Sequence, residues 1–252
     1  MDYFTFGTGA ETFVILPGLS VQSVMDSAEI ISRAYDIFAK EYTVYLFDRR
    51  SNLPENYSVY EMADDTAEVF KALGLKDIYL FGASQGGMIA FTLAARYPGL
   101  VKKLVVGSSS AVVSINQYAT IDKWVNLACN KDRVALFIEM CRDIYPAEMF
   151  KEYQDTFELI GKSLTEEQMK RFVTLAKGTK NFDITAEMDN IRCPVFSIGA
   201  TDDAVLPGGA EKIYELLSDK PDFKSYNYTG YGHAVFDTAS DFKQKMMDFF
   251  NQ

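Results

Sequence analysis

The chain has 252 residues, 48% hydrophobic and 24% charged, which suits one sizeable α/β domain with room for an inserted subdomain. Its net charge is −10, from 35 acids against 25 bases, and this excludes the basic face that nucleic-acid binding needs. No run of about 18 uncharged apolar residues is present, so no membrane span is expected.

Met1 to Phe6 lacks a basic region followed by an apolar stretch, so no signal peptide is expected either. Cys129, Cys141 and Cys193 have no metal-ligand spacing and stand beside a single histidine. A Cys/His metal site is therefore not expected, and the thiols read as free and buried in a reducing cytoplasm.

Asp2 to Phe6 alternates in strand fashion, Gly7-Thr8-Gly9 is a turn, and Thr12 to Leu16 is a second strand, so the chain is expected to open with a hairpin. Pro17-Gly18-Leu19-Ser20 follows. Val21 to Lys40 reads as a helix, with Val24, Ala28, Ile31, Tyr35 and Phe38 at helical spacing. Tyr42 to Phe47 is a strand ending in Asp48-Arg49-Arg50. That tripeptide is expected to form a structural corner, Asp48 bonding loop backbone and an arginine pairing with a carboxylate. Ser58 with Glu61 three residues on fits a capping box, and the helix it opens should end at Gly74.

Ile78 to Phe81 is an apolar strand that runs into Gly82-Ala83-Ser84-Gln85-Gly86, and Met88 to Tyr97 continues as a helix of small and apolar residues. This is the strand–turn–helix context of the G-x-S-x-G nucleophile elbow. Leu104 to Gly107 is another buried-type strand, and Val195 to Ile198 is the next. Four helical stretches lie between them, about Asn116–Asn130, Asp132–Tyr145, Pro146–Ile160 and Thr165–Lys177. Residues 112–182 therefore read as an inserted helical cap on a core formed by 1–111 and 183–252. Its apolar stripe, including Trp124, Phe137, Met140 and Ile144, is expected to serve mostly packing, with a minority facing the site. Phe223 to Tyr228 is the last strand, and about Ser240 to Phe250 an amphipathic helix. Strands alternating with helices imply an α/β fold, a mostly parallel sheet with helices on both faces.

A serine nucleophile needs a base, and the base an orienting acid. His233 is the chain's one histidine and lies in a Gly-rich loop after the last strand. Asp202 and Asp203 follow the penultimate strand at the same sheet edge. Asp202, three residues after Gly199, is the favoured acid, with Asp203 the alternative. The expected oxyanion donors are the backbone N–H groups of Gln85 and Leu19.

The chain resembles the α/β-hydrolase superfamily over nearly its whole length, in the serine esterase and C–C hydrolase branch with a helical cap. The resemblance rests on Leu16-Pro17-Gly18, Phe47-Asp48-Arg49-Arg50, Ala63-Asp64-Asp65, Gly82 to Gly87, Arg96-Tyr97-Pro98, Cys193-Pro194-Val195, Gly199 to Pro207 and Gly232-His233-Ala234. Relatives often carry His-Gly at Pro17-Gly18, histidine at Ala83 and glycine at Arg50. Ser84 disfavours the branches with an aspartate nucleophile.

The resemblance implies a cytoplasmic serine hydrolase, monomer or homodimer, that cleaves a small-molecule carboxylic ester through Ser84, His233 and Asp202. No cofactor, metal, nucleic acid or membrane is expected to take part. A thioester, lactone or C–C bond is the alternative within catalysis, and a non-catalytic ligand-binding protein the alternative outside it.

Overall fold

A computed structural model describes all residues, 1–252. Seven strands form one sheet: β1 (Tyr3–Phe6), β2 (Glu11–Leu16), β3 (Tyr42–Phe47), β4 (Ile78–Ala83), β5 (Val101–Gly107), β6 (Val195–Ala200) and β7 (Phe223–Tyr228). Their spatial order is β1-β3-β2-β4-β5-β6-β7. Only the β1–β3 pairing is antiparallel. Parallel strands need crossover connections, and here helices supply most of them, so both faces of the sheet are covered.

Alternation along each strand divides the core in two. Val14, Leu16 and Leu80 face α2 (Val59–Ala72), α3 (Gln85–Arg96) and α8 (Gly209–Leu217). Phe13, Ile15 and Phe81 face α1 (Ala28–Ala34) and α10 (Phe242–Phe250).

The opening hairpin does not form. β1 pairs with β3, and β2 lies on the far side of β3. The glycines explain the geometry: a Cβ at Gly7 would lie 2.4 Å from the Tyr42 carbonyl, and one at Gly9 would lie 1.9 Å from the Glu41 carbonyl carbon. The connection passes tightly against the start of β3, so its glycines serve close approach to that strand. The single helix expected over 21–40 is also broken. It becomes a 3₁₀ turn at Val24–Ser27, then α1, then a 3₁₀ turn at Asp36–Phe38. Ser27 and Tyr35 leave helical geometry with ψ of 9° and 16°.

α2 opens with the Ser58–Glu61 capping box, with each side chain bonded to the other's backbone N–H, and it closes before Gly74 at φ 69°. Between β5 and β6 lie α4 (Ile115–Cys129), α5 (Arg133–Ile144), α6 (Ala147–Ser163) and α7 (Glu166–Lys177). α4 and α7 begin with capping boxes of their own. An antiparallel bridge between Val112 and Asp183 ties the two ends of this helical segment together. The segment packs as α4 on α7 and α5 on α6. No helix is long and apolar enough to cross a membrane. Cys141 and Cys193 are buried as expected, but Cys129, at the last turn of α4, is exposed.

Candidate active site

β4 ends at Ala83 and α3 begins at Gln85, leaving one residue for the turn. Ser84 takes φ 50° and ψ −119°, a backbone conformation that side chains adopt at a cost of about 1–3 kcal/mol and that persists only where the surroundings enforce it. They do so here. Ser84 N–H donates to the Gly107 carbonyl at 2.8 Å, and the Ser84 carbonyl accepts from Ser109 Oγ at 2.8 Å. A Cβ at Gly86 would lie 2.1 Å from the Leu16 carbonyl oxygen, and one at Gly82 would lie 2.3 Å from that of Gly86. Only glycine lets strand, turn and helix approach this closely.

His233 sits on a short 3₁₀ turn, Gly232–Ala234, after β7. Its Nε2 is 2.9 Å from Ser84 Oγ, and its Nδ1 is 2.8 Å from Asp203 Oδ2. A carboxylate only accepts, so Nδ1 carries the proton and Nε2 is left to accept the Ser84 hydroxyl. The Asp203 carboxyl is buried, which alone would raise its pKa. The facing imidazole and two backbone amides outweigh burial and hold it below the usual range.

The favoured acid of the sequence, Asp202, does not reach His233. Its Oδ1 and Oδ2 accept the N–H groups of Gly230 and Gly232 at 3.0 and 3.1 Å. It thereby shapes the loop that carries the histidine. Asp203 Oδ1 accepts from the Val205 and Leu206 amides at 2.8 and 2.9 Å. That turn leaves Oδ2 aimed at His233, so the acid in contact with the histidine is Asp203.

The expected oxyanion donors flank Ser84. Gln85 is the first residue of α3, where N–H groups lack helical partners. Leu19 and Gln85 both line the same cavity as Ser84, and a Cβ on Gly18 would lie 3.3 Å from Ser84 Cβ. Side chains behind them hold both pieces. Buried Arg49 donates to the Pro17 carbonyl at 2.7 Å and to Gln85 Oε1 at 3.2 Å. Burial pushes its guanidinium down to about 10, which still leaves it charged at neutral pH. Gln85 Nε2 donates to the Leu175 carbonyl of α7 at 2.8 Å. Arg171, also of α7, pairs with buried Asp48 at 2.6 Å. Asp48 further accepts from Arg49 N–H and from Ser23 Oγ. The Asp-Arg corner expected from sequence is thus present, and it also braces the loop over the nucleophile. Arg171 gave no signal of this in the sequence because its partner lies 123 positions away.

The cavity over Ser84 holds about 620 Å³ and is mostly apolar. Trp124, Phe137, Met140 and Ile144 line it from the helical segment, and Val205, Leu206 and Phe236 from the core. The rest of the segment's apolar stripe, Leu136 among it, packs elsewhere. Cys141 also lines the cavity, but burial pushes its thiol up to about 12, so it stays protonated and unreactive. Ser84 Oγ is the hydroxyl of this space that meets an imidazole. Asp237 and Lys243, on the segment after His233, line the cavity too.

Residues 11–128 match the family model described as alpha/beta hydrolase fold. A protein of Pantoea ananatis named "Putative carbamate hydrolase RutD" is 24% identical over 249 residues, covering 92% of this chain and 85% of the relative. MGS-M2, an alpha/beta hydrolase enzyme from a Medee basin deep-sea metagenome library, superposes with a TM-score of 0.87 at 22% identity, covering 100% of this chain and 94% of that one. The enol-lactonase from Burkholderia xenovorans LB400 superposes with a TM-score of 0.83 at 16% identity, covering 100% and 96%. With this sheet order, this elbow and a family model matched over 11–128, the chain has the α/β-hydrolase fold.

Proposed function

We propose that the chain is a serine hydrolase cleaving a carboxylic ester, with Ser84 as nucleophile, His233 as base and Asp203 as the orienting acid. The family match and the hydrolase names of its relatives support hydrolase chemistry in general. The observation that carries the finer reading is the unbroken relay from Ser84 Oγ to His233 Nε2 and from Nδ1 to Asp203.

In this reading Ser84 Oγ attacks the acyl carbonyl while His233 Nε2 takes its proton. Negative charge collects on the former carbonyl oxygen between the Leu19 and Gln85 amides. Donors of this kind are each worth about 10²–10³ in rate. His233 gives the proton to the departing alcohol, then activates water to release the acid and restore Ser84. Asp203 fixes the imidazole tautomer and stabilises the imidazolium. The helical segment 112–182 acts as a cap that closes the apolar cavity over the acyl group. A carbamate is the second bond reading, favoured by the relative's name and open to the same attack, since it presents an acyl carbonyl with an alcohol or amine to expel.

The test is turnover of p-nitrophenyl esters across acyl lengths by wild type and Ser84→Ala, with fluorophosphonate labelling alongside. Turnover and labelling that vanish in Ser84→Ala, with the circular dichroism spectrum retained, are expected. Neither turnover nor labelling in wild type would sink the catalytic reading in favour of a ligand-binding one.

A further inference from the structure

The cavity over Ser84 has two limbs, one on each side of the sheet edge where the serine sits. One limb runs under the helical segment, where Ile121, Trp124 and Met140 belong to the apolar cluster of α2 and α3. The other runs between α1 and α9 (Val235–Thr238), where Ile15, Val24, Tyr35 and Phe81 belong to the cluster of α1 and α10. The two limbs meet solvent differently. Every lining residue that the helical segment contributes is buried or half-buried. Its half-buried walls, Phe137 and Tyr145, are backed by Phe157 of α6, with ring centres 6.3 and 5.6 Å away. The exposed lining residues of the whole cavity are Ser27, Ile30, Ala34 and Asp237. All four lie on α1, its N-cap or α9, and Ile30 is 71% exposed.

From this pattern we infer that the cavity opens between α1 and α9 and is blind under the helical segment, and that the substrate lies with its acyl group in the blind limb and its alcohol in the open one. The substrate class is then an ester whose acyl group is limited in size and whose alcohol is not. This rests on the ester reading and deepens it. The limbs are assigned by the order in which products leave. The alcohol goes first, while the acyl group is still bonded to Ser84 Oγ. In a cavity with one mouth, an alcohol in the blind limb would be trapped behind the acyl group. An alcohol in the open limb departs without passing anything, and water reaches the acyl-enzyme along the path it vacates. The histidine is placed to suit. His233 must hand its proton to the alcohol oxygen, and the wall of the open limb starts beside it. The Phe236 ring stands edge-on to the imidazole with its centre 6.3 Å away, and Asp237 at the mouth is the next residue. The first carbons of the alcohol lie against apolar side chains, Val24, Ile31 and Phe81, and whatever follows them lies in solvent.

The experiment pairs two esters that differ in which side carries a chain too large to enclose: methoxy-polyethylene glycol acetate, and the ethyl ester of methoxy-polyethylene glycol propanoic acid. Acid release is followed at constant pH, and each kcat/KM is divided by that ester's own rate with hydroxide. The polymer acetate is expected to be cleaved within about tenfold of ethyl acetate, because a chain lying in solvent adds little to ground state or transition state. The polymer acid ester should be slower than ethyl propanoate by about a hundredfold or more, since an acyl group that cannot enter leaves its carbonyl misplaced. Equal losses, or the reverse order, would overturn the assignment of the limbs. The mouth is tested without any ester. In a Cys129→Ser background, which removes the exposed thiol, Ala34→Cys and Leu159→Cys are each capped with a biotin methanethiosulfonate. Leu159 is 65% exposed on α6 and lines no part of the cavity. The readout is the rate at which a fluorophosphonate carrying a rhodamine on a long linker labels Ser84. The cap at position 34 should slow labelling by about tenfold or more, with dithiothreitol restoring it, and the cap at position 159 should leave it unchanged. No slowing from position 34, or slowing from position 159 alone, would overturn the mouth. Labelling with every ester inert would sink the ester reading while the two caps still judge the mouth, so the two failures are told apart.

Discussion

Replacing Asp203 by Asn sets an amide, able to donate, against His233 Nδ1, which favours the wrong tautomer for accepting the Ser84 proton. Turnover by Asp203→Asn is expected to fall by about 10³–10⁴, read as kcat on the best ester. Asp202→Ala removes the acceptor for two loop amides, and its expected cost is about 1 kcal/mol of stability with a far smaller loss of turnover, read from denaturant midpoints and kcat together. The same carboxyl makes a pH prediction. The folded Asp203 titrates below a free aspartate, whose ordinary pKa is about 3.9. Its ionised form therefore stabilises the fold above that value, and the contribution fades as pH falls through the lower folded value. Melting curves of wild type and Asp203→Asn should differ most at pH 5 and above and converge as the pH drops below 4. Neighbouring aspartates could not be told apart in the sequence because their tasks differ by which amides each accepts. Val205 and Leu206 turn Asp203 inward, while Gly230 and Gly232 hold Asp202 in the loop.

At the scale of the element, the elbow is a packing problem solved by glycine. Gly86→Ala drives a methyl into the Leu16 backbone, where no side chain can yield, and about 3 kcal/mol or more of stability should be lost, measured by chemical denaturation. Ser58→Ala, at the capping box of α2, should cost about 1 kcal/mol and leave ester turnover unchanged. Both features were legible from residue types alone, since a cap and an elbow are local. The first two strands were legible as strands but not as neighbours. Alternation reports which face a residue shows, and says nothing of the partner strand; here Gly7 and Gly9 meet residues 39–42, well away in sequence. The 21–40 segment misled for a related reason. Its apolar spacing runs on at helical period, while Ser23 spends its hydroxyl on Met25 N–H and Asp48, which fixes a 3₁₀ turn in place of a continuous helix.

On the scale of the molecule, the helical segment is joined to the sheet edge beside Ser84 by two bonds, Arg171 to Asp48 and Gln85 to the Leu175 carbonyl. Removing Arg171 strands a buried carboxylate, so Arg171→Met should lose about 3 kcal/mol, seen as a lowered denaturation midpoint. Such long-range partners were invisible in the sequence; the order serine, aspartate, histidine was visible because each follows its own strand. That order also bears on how the protein comes into being. His233 lies 149 residues after Ser84. At ordinary rates of synthesis the serine is made roughly 7–30 s before the histidine it meets. A nascent chain therefore carries an inert alcohol through the period when it is least folded and most crowded by other proteins. The Ser84–His233 contact forms only when the final strand and the turn behind it dock, so the nucleophile of the proposed chemistry is withheld until there is a finished cavity to confine it.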